Sequence, residues 1–200
     1  MQKNIKKWKI NFFVIFIILV IVIFFAIVIY KFSSQDKLES KYSSVTQNLN
    51  QVRVIGTRVG QAPPDFTAIT TEGKPIRLQD FIEQKKPVIV YFMATWCPWC
   101  AKDYAALSKV YRNYEDNITF ISISLDLSED FLKLKEYKKK YPELQKVIFA
   151  QGQEQILVDY GITKTTTKYA IGKNGTVVYR IIGAFEEEEW KILLDKLVNE

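Results

Sequence analysis

The chain has 200 residues, a net charge of +6, two cysteines and no histidine. The excess of positive charge lies entirely in residues 1–55, and residues 56–200 hold 20 basic and 20 acidic side chains. Because this larger part has no basic bias, its charge argues against nucleic-acid binding, and its length suits one domain with a hydrophobic core.

The most apolar segment lies near the N-terminus. Apart from Asn11, residues 10–30 are uninterrupted apolar sequence, and as a helix they would span roughly 30 Å, the thickness of the hydrocarbon core of a bilayer. No small-residue cleavage site follows, so we predict an uncleaved single-pass anchor in the cell membrane rather than a signal peptide. Lysines in residues 1–9 predict a cytoplasmic N-terminus and an extracytoplasmic domain, in a compartment that permits disulfides.

Residues 31–55 are rich in Ser, Gln and Asn and predict a tether, after which residues 56–200 form the domain. The elements predicted there, in chain order, are strands at 66–70 and 75–78, a helix near 79–84, a strand at 87–93, a helix from 98 to about 114, a strand at 118–124, a helix at 129–140, a strand at 146–150, a helix at 153–160, strands at 169–171 and 176–182 joined by an Asn-Gly hairpin, and a helix at 186–198. Alternating strands and helices predict an α/β domain around one central mixed sheet flanked by helices.

Both cysteines belong to the motif Trp-Cys-Pro-Trp-Cys at residues 96–100, between a predicted buried strand and a predicted helix. The N–H groups and the dipole of a helix start stabilise a thiolate at Cys97, and Cys100 is about one turn further on. So small a disulfide ring would constrain little chain entropy, which makes a purely structural disulfide a poor explanation. The motif therefore predicts a redox-active Cys97–Cys100 disulfide.

Three segments resemble the membrane-anchored TlpA/ResA-like group of thioredoxin-fold proteins. They are GQAPPDFTAITTEGKPIRLQDF from residue 60, PVIVYFMATWCPWCAKD from residue 87 and YGITKTTTKYAIGKNGTVVYRIIG from residue 160, within a similarity that covers about residues 56–200. The resemblance implies a thioredoxin-like fold and thiol–disulfide exchange with protein substrates outside the membrane, often in the maturation of c-type cytochromes or other cysteine-containing proteins. It also implies a membrane or extracytoplasmic redox donor or acceptor, and we expect no cofactor and no metal.

The resemblance assigns roles to three residues of the motif region. Cys97 matches the nucleophilic cysteine and Cys100 the resolving one. Asp103 falls where the group usually has a Glu that is thought to manage protons at the cysteines, and without histidine a carboxylate or water must transfer them. The alternative for Asp103 is a solvated acid on the helix surface. The buried Asp of thioredoxins, six residues before the first cysteine, is absent, and Tyr91 stands there.

Five further residues are predicted to bind substrate. Trp96 matches the family's flanking Trp, and with Trp99 it would form an apolar collar around the nucleophile, although ordinary surface exposure is the alternative for Trp99. Pro98 would mainly shape the helix start. Thr165 and Thr166 lie in the loop where the family has a cis-proline, at the position of Thr166. A cis bond before a non-proline residue costs about 3 kcal/mol, so the peptide between them is either trans in an altered loop or cis and strained.

Other functions compete with a disulfide reductant. Because Pro98-Trp99 lacks the histidine of strong oxidants, the motif favours a reductant over a disulfide-forming oxidant. A peroxidase of the peroxiredoxin type needs a Thr three residues before its cysteine, where this chain has Ala94, with Thr95 one place too late. The lost proline leaves open a non-catalytic module that binds a partner or a metal, although tetrahedral zinc without histidine would require carboxylates or a second chain.

Overall fold

The computed structural model describes residues 15–27, 29 and 55–199. Residues 15–27 form a helix, α1, whose side chains are exposed. Across the described part of the chain, no helix combines the length and the apolar character that crossing a membrane requires. The predicted anchor at 10–30 is thus described only in part.

The predicted cytoplasmic segment at 1–9 lies outside the described residues, and so does the tether except for Ile55. The chain divides into one unit at Met1–Val52 and another at Arg53–Glu200. The second unit begins three residues before the predicted domain start.

This second unit is an α/β domain. Its elements are β1 (Thr67–Ile69), β2 (Pro75–Arg77), α2 (Leu78–Ile82), β3 (Val88–Met93), α3 (Pro98–Val110), β4 (Thr119–Ser124), α4 (Phe131–Lys139), β5 (Ile148–Ala150), α5 (Glu154–Asp159), β6 (Thr167–Ile171), β7 (Val177–Ile182) and α6 (Glu187–Asn199). Strands β1 and β2 form an antiparallel pair, and the other five form a sheet of order β5-β4-β3-β6-β7. Because β3 runs parallel to β4 and antiparallel to β6, the predicted central mixed sheet is confirmed.

Two element boundaries differ from the predictions in ways that matter for the site. Helix α4 begins at Phe131, after the N-cap Asp130, so Glu129 precedes the helix and is buried. Strand β6 begins at Thr167, two residues before the predicted start. The polar residues Thr167 and Lys168 looked like loop in the sequence, but they pair with Phe92 and Tyr91 of β3.

Strand β3 separates two hydrophobic cores, because successive side chains of a strand point to opposite faces. Ile89, Tyr91 and Met93 lie in the cysteine-side core, which also contains the buried faces of α3 and α6. Val88, Val90 and Phe92 lie in the opposite core, with buried residues of α2 and α5. All six side chains of β3 are buried, as the sequence predicted for this strand. The strand ends beside the two cysteines and holds the start of α3 in place.

Candidate active site

Cys97 caps the N-terminus of α3. Its backbone is extended, and its sulfur accepts a hydrogen bond from the backbone N–H of Cys100 at 3.2 Å. Pro98 occupies the first turn, as predicted, where its missing N–H costs no helical hydrogen bond. A sulfur at this end of a helix also lies near the positive end of the helix dipole. The helix start therefore stabilises negative charge on the Cys97 sulfur.

Cys100 lies one turn further along α3 and has no solvent exposure, whereas Cys97 is 3% exposed. Both cysteines are free thiols. Burial raises the pKa of the Cys100 thiol to about 12, and its hydrogen bond with Cys97 acts in the same direction. Because only a thiolate is a good nucleophile, Cys100 must lose its proton to a neighbouring group before it can react.

The loop that holds Thr165 and Thr166 faces Cys97. None of the peptide bonds in the described part of the chain is cis, so the trans alternative with an altered loop is the one observed. The Cys97 thiol donates to the Thr165 hydroxyl at 3.3 Å, and the same hydroxyl can donate to a thiolate. Thr166 has a φ of 58°, a left-handed conformation that strains a β-branched residue. Its carbonyl accepts from the N–H of Gly183, so the structure places Thr165 at the cysteine and Thr166 in the support of the loop.

Asp103 is completely buried, which excludes the solvated helix-surface alternative. Its Oδ2 lies 2.7 Å from the Nζ of Lys168, whose side chain is equally buried, and accepts from the Tyr91 hydroxyl at 3.0 Å. Its Oδ1 accepts from the N–H of Phe185 at 2.9 Å. Burial raises the pKa of Asp103, and Lys168 partly opposes that rise. The predicted proton-handling residue thus belongs to a buried polar cluster behind Cys100.

The sequence did not single out Lys168, which supplies the positive charge of this cluster. Its Nζ donates to the carbonyl of Gly183 at 2.5 Å and lies 4.6–5.2 Å from the ring centroids of Tyr91, Phe185 and Trp190. Burial lowers the pKa of Lys168, and Asp103 opposes this. In the sequence, Lys168 stands just before an apolar segment predicted as a strand, which is typical of an ordinary loop residue and does not indicate a buried charge.

Two acids of the segment between β4 and α4 hold the loop that precedes Cys97. Glu129 has no solvent exposure and accepts from the Thr95 N–H at 2.8 Å, from the Thr95 hydroxyl and from the Ser124 hydroxyl at 2.7 Å. The Trp96 indole donates to Asp126 at 2.7 Å. Neither acid was predicted, because no sequence motif links Trp96 to Asp126 or Thr95 to Glu129, which lie 30 and 34 positions apart.

The surface beside Cys97 is apolar. Trp96 and Trp99 are each 61% exposed, which fits the predicted collar and, for Trp99, also fits ordinary surface exposure. Leu127 and Ile182 are also exposed. Leu127 follows the acid that holds Trp96, and Ile182 ends β7, where it pairs with Thr167. Within residues 15–27, 29 and 55–199, no group of three or more acidic or cysteine side chains is arranged to hold a metal ion.

The chain is similar to a known protein family, to individual relatives and to solved structures. The family model described as the AhpC/TSA family matches residues 59–180. The thiol-disulfide oxidoreductase ResA of Bacillus thuringiensis is 32% identical over 139 residues, which are 70% of this chain and 78% of the relative. The thioredoxin-like protein YneN of Bacillus subtilis is 25% identical over 142 residues, 70% of this chain and 81% of that protein.

Among solved structures, a thiol:disulfide interchange protein of the thioredoxin family from Chlorobium tepidum superposes with a TM-score of 0.60 at 23% identity, and the match covers 70% of this chain and 97% of the other. The protein dsbF of Mycobacterium tuberculosis, solved in mixed oxidised and reduced forms, gives a TM-score of 0.58 at 20% identity, over 66% of this chain and 94% of the other. These structural matches confirm the thioredoxin-like fold.

Proposed function

The chain belongs to the AhpC/TSA family, within which it is a TlpA/ResA-like thiol–disulfide oxidoreductase, and we propose that it is a membrane-anchored reductant of protein disulfides outside the cytoplasm. One observation carries the chemistry: the two thiols are unequal. The Cys97 sulfur accepts an N–H hydrogen bond at a helix start, while burial holds Cys100 as a protonated thiol. An attacking cysteine and a resolving cysteine need this inequality.

The exchange has two steps. The Cys97 thiolate attacks a substrate disulfide, so that a bond forms between its sulfur and one substrate sulfur while the other leaves as a thiolate and takes up a proton. Cys100 then loses its proton and attacks the Cys97 sulfur, which releases the second substrate thiol. The products are a reduced substrate and an oxidised chain, in which Cys97 and Cys100 now form a disulfide. A membrane or extracytoplasmic donor of two electrons must then reduce it.

Protein substrates suit the surface around Cys97. The exposed indoles of Trp96 and Trp99 offer apolar area to an extended or unfolded segment. Asp126 fixes the Trp96 ring by its hydrogen bond, so that part of the surface is ordered before substrate arrives. Thr165 is the candidate contact between the opposite loop and the reacting sulfur.

The anchor and the location rest on the N-terminal sequence. The apolar run at residues 10–30 is of membrane-spanning length, and the basic residues before it favour an extracytoplasmic domain. A C-terminal fusion to alkaline phosphatase, which is active only outside the cytoplasm, tests the orientation. Activity of that fusion, together with resistance to carbonate extraction, is the expected result; a carbonate-soluble or inactive fusion would contradict it.

The catalytic test is mixed-disulfide trapping in the full chain. Replacing Cys100 by Ser should trap substrates on Cys97, because the resolving thiol is gone, whereas the Cys97→Ser chain should trap none. If the two variants trap equal amounts, the chain does not exchange disulfides and a non-catalytic binding module becomes the better description.

The direction of electron flow is tested by the reduction potential of the Cys97–Cys100 pair. A reductant should have a value near that of thioredoxin, about −270 mV, or below it. A value near about −120 mV would instead identify an oxidant that forms disulfides.

A further inference from the structure

Between β7 and α6, the domain has an apolar groove with a volume of about 260 Å³. Five of its lining residues are apolar or aromatic, namely Tyr179 and Ile181 of β7, Phe185, and Ile192 and Leu193 of α6. Ile192 is 47% exposed, so its side chain stands at the open side of the groove. The groove thus offers an apolar contact that nothing in the described part of the chain covers.

The groove lies at an edge of the sheet, because β7 is the last strand in the order β5-β4-β3-β6-β7. The start of β7 is covered, since the backbone of Val177 accepts a hydrogen bond from Gly60 and donates one to Gln61. Beyond Val177, no backbone within residues 55–199 pairs with the outer side of this strand. Open sheet edges and apolar grooves both favour association, so this side of the domain is a candidate interface.

Opposite charges stand at the two ends of the α6 side of the groove. Glu189 and Lys196 also line it, about two helical turns apart, and Ile192 lies between them on the same face of the helix. Glu189 accepts from the N–H of Glu186 at 2.8 Å, and the Nζ of Lys196 lies 5.8 Å from the ring centroid of Tyr179. Among the described residues, neither Glu189 nor Lys196 forms an ion pair, so both charges are available to a partner.

This order of acid, apolar centre and base is complementary to itself. A two-fold axis that passes near Ile192 sets a second α6 antiparallel to the first, so that Glu189 of each copy faces Lys196 of the other. Two ion pairs then form in every dimer, because a two-fold interface repeats each contact with the copies exchanged. A partner that carried only one sign of charge would instead place a like charge against one end of the groove.

We propose that this groove docks a second copy of the same chain, with the two α6 helices antiparallel across a two-fold axis. Trp96, Trp99 and Thr165 do not line the groove, so docking there leaves Cys97 of each copy open to substrate. The interface goes beyond the proposed exchange reaction and does not depend on it. Anchoring in one membrane, as proposed above, would raise the effective concentration of the chains, so a small interface suffices.

Cross-linking in isolated membranes tests the contact at the axis. The full chain, with Cys97 and Cys100 replaced by Ser, carries Ile192→Cys as its only thiol, and a short bismaleimide should join two copies because both sulfurs lie near the axis. Lys191→Cys is the matched control, since Lys191 is exposed but lies about 100° around the helix, on the side away from the groove. It should give about tenfold less product. Equal yields at the two positions would overturn the proposal.

Charge reversal tests the pairing across the axis. In the chain with Ile192→Cys, either Glu189→Lys or Lys196→Glu turns both ion pairs of the dimer into like-charge contacts, so the cross-linked yield should fall about tenfold. Glu187→Lys is the control of equal charge change, because Glu187 pairs with Lys109 at 3.2 Å and does not line the groove. It should leave the yield unchanged.

Co-expression of the two reversed chains with different tags separates pairing from misfolding. The chain with Glu189→Lys is basic at both ends of its groove and the chain with Lys196→Glu is acidic at both ends, so a mixed dimer again pairs only opposite charges. The mixed product should return to the parental yield, while neither chain cross-links to itself. Unchanged yields in the single variants, or a loss that mixing does not restore, would overturn the two-fold dimer and leave the groove to another occupant, such as residues 31–54 of its own chain.

Discussion

The two faces of strand β3 are equally buried but differ in chemistry. On the opposite-core face, Val90 and Phe92 pack among apolar and aromatic side chains, and the nearby Tyr160 bonds the backbone carbonyl of Pro64. On the cysteine-side face, Tyr91 bonds a carboxylate that is itself paired with a lysine. Hydroxyls bonded to carbonyls or to an arginine, as Tyr169 is to Arg180 on the opposite-core face, only satisfy burial, whereas a hydroxyl bonded to a carboxylate can also move a proton. The comparison shows that the polar content of a core can mark the face that serves the reacting thiol.

Removing one charge from the cysteine-side face should have the largest effect on stability. Lys168→Met leaves Asp103 buried without its counter-charge, which should lower the free energy of unfolding by about 4 kcal/mol. Urea denaturation measures this loss. The double variant with Asp103→Asn should recover most of it, because no isolated charge remains. A double variant that is no more stable than the single one would show that the two faces do not differ in this way.

A cavity on the opposite-core face should be costly for stability and neutral for chemistry. Val90 has no exposure, and Val90→Ala removes two methyl groups, so we expect a loss of about 2.5 kcal/mol from the free energy of unfolding. Thermal unfolding monitored by circular dichroism checks the loss. The rate at which Cys100 resolves a mixed disulfide should not change at temperatures where the variant is folded. A slower rate would show that the opposite-core face also contributes to the chemistry.

The loop before Cys97 depends on Glu129, a buried acid between β4 and α4 that belongs to neither face of β3. The Glu129 carboxylate accepts hydrogen bonds from N–H and hydroxyl donors, and Glu129→Gln turns an NH₂ group towards some of those donors. The variant should lose about 2 kcal/mol of the free energy of unfolding. Hydrogen exchange at the Thr95 amide should become faster. Glu136→Gln is the control, because Glu136 is exposed and pairs only with Lys139 among the described residues. Equal exchange rates in the two variants would remove Glu129 from the support of the loop.

Relief of backbone strain at Thr166, in the loop that faces Cys97, should change the free energy of unfolding least and should raise it rather than lower it. Thr166→Gly removes the side chain that disfavours a φ of 58°, which should raise the free energy of unfolding by about 1 kcal/mol after the entropy of glycine is included. Lys85→Gly, at a φ of 55° on the surface, should gain less because lysine is not β-branched. Differential scanning calorimetry compares the two, and a destabilised Thr166→Gly chain would mean that its side chain holds the loop.

The sequence alone predicted the parts of this protein that depend on neighbouring residues. Hydrophobic periodicity located the strands of the sheet and the helices that flank it, because side-chain direction repeats every two residues in a strand and every 3.6 residues in a helix. The motif at residues 96–100 predicted the redox pair and the first turn of α3. The resemblance pointed to Asp103 as the third member of the site.

Tertiary structure alone decided what surrounds those residues. Strand pairing sets Lys168 against Tyr91, 77 positions apart in the chain, and the turn after β4 brings Glu129 to Thr95. Whether Asp103 is solvated or buried depends on how α3 packs on the sheet and on α6, and only that packing turned it into a buried acceptor. Local backbone preferences act over a few residues, whereas burial and the pairing of charges depend on distant segments, so a single sequence does not specify them directly.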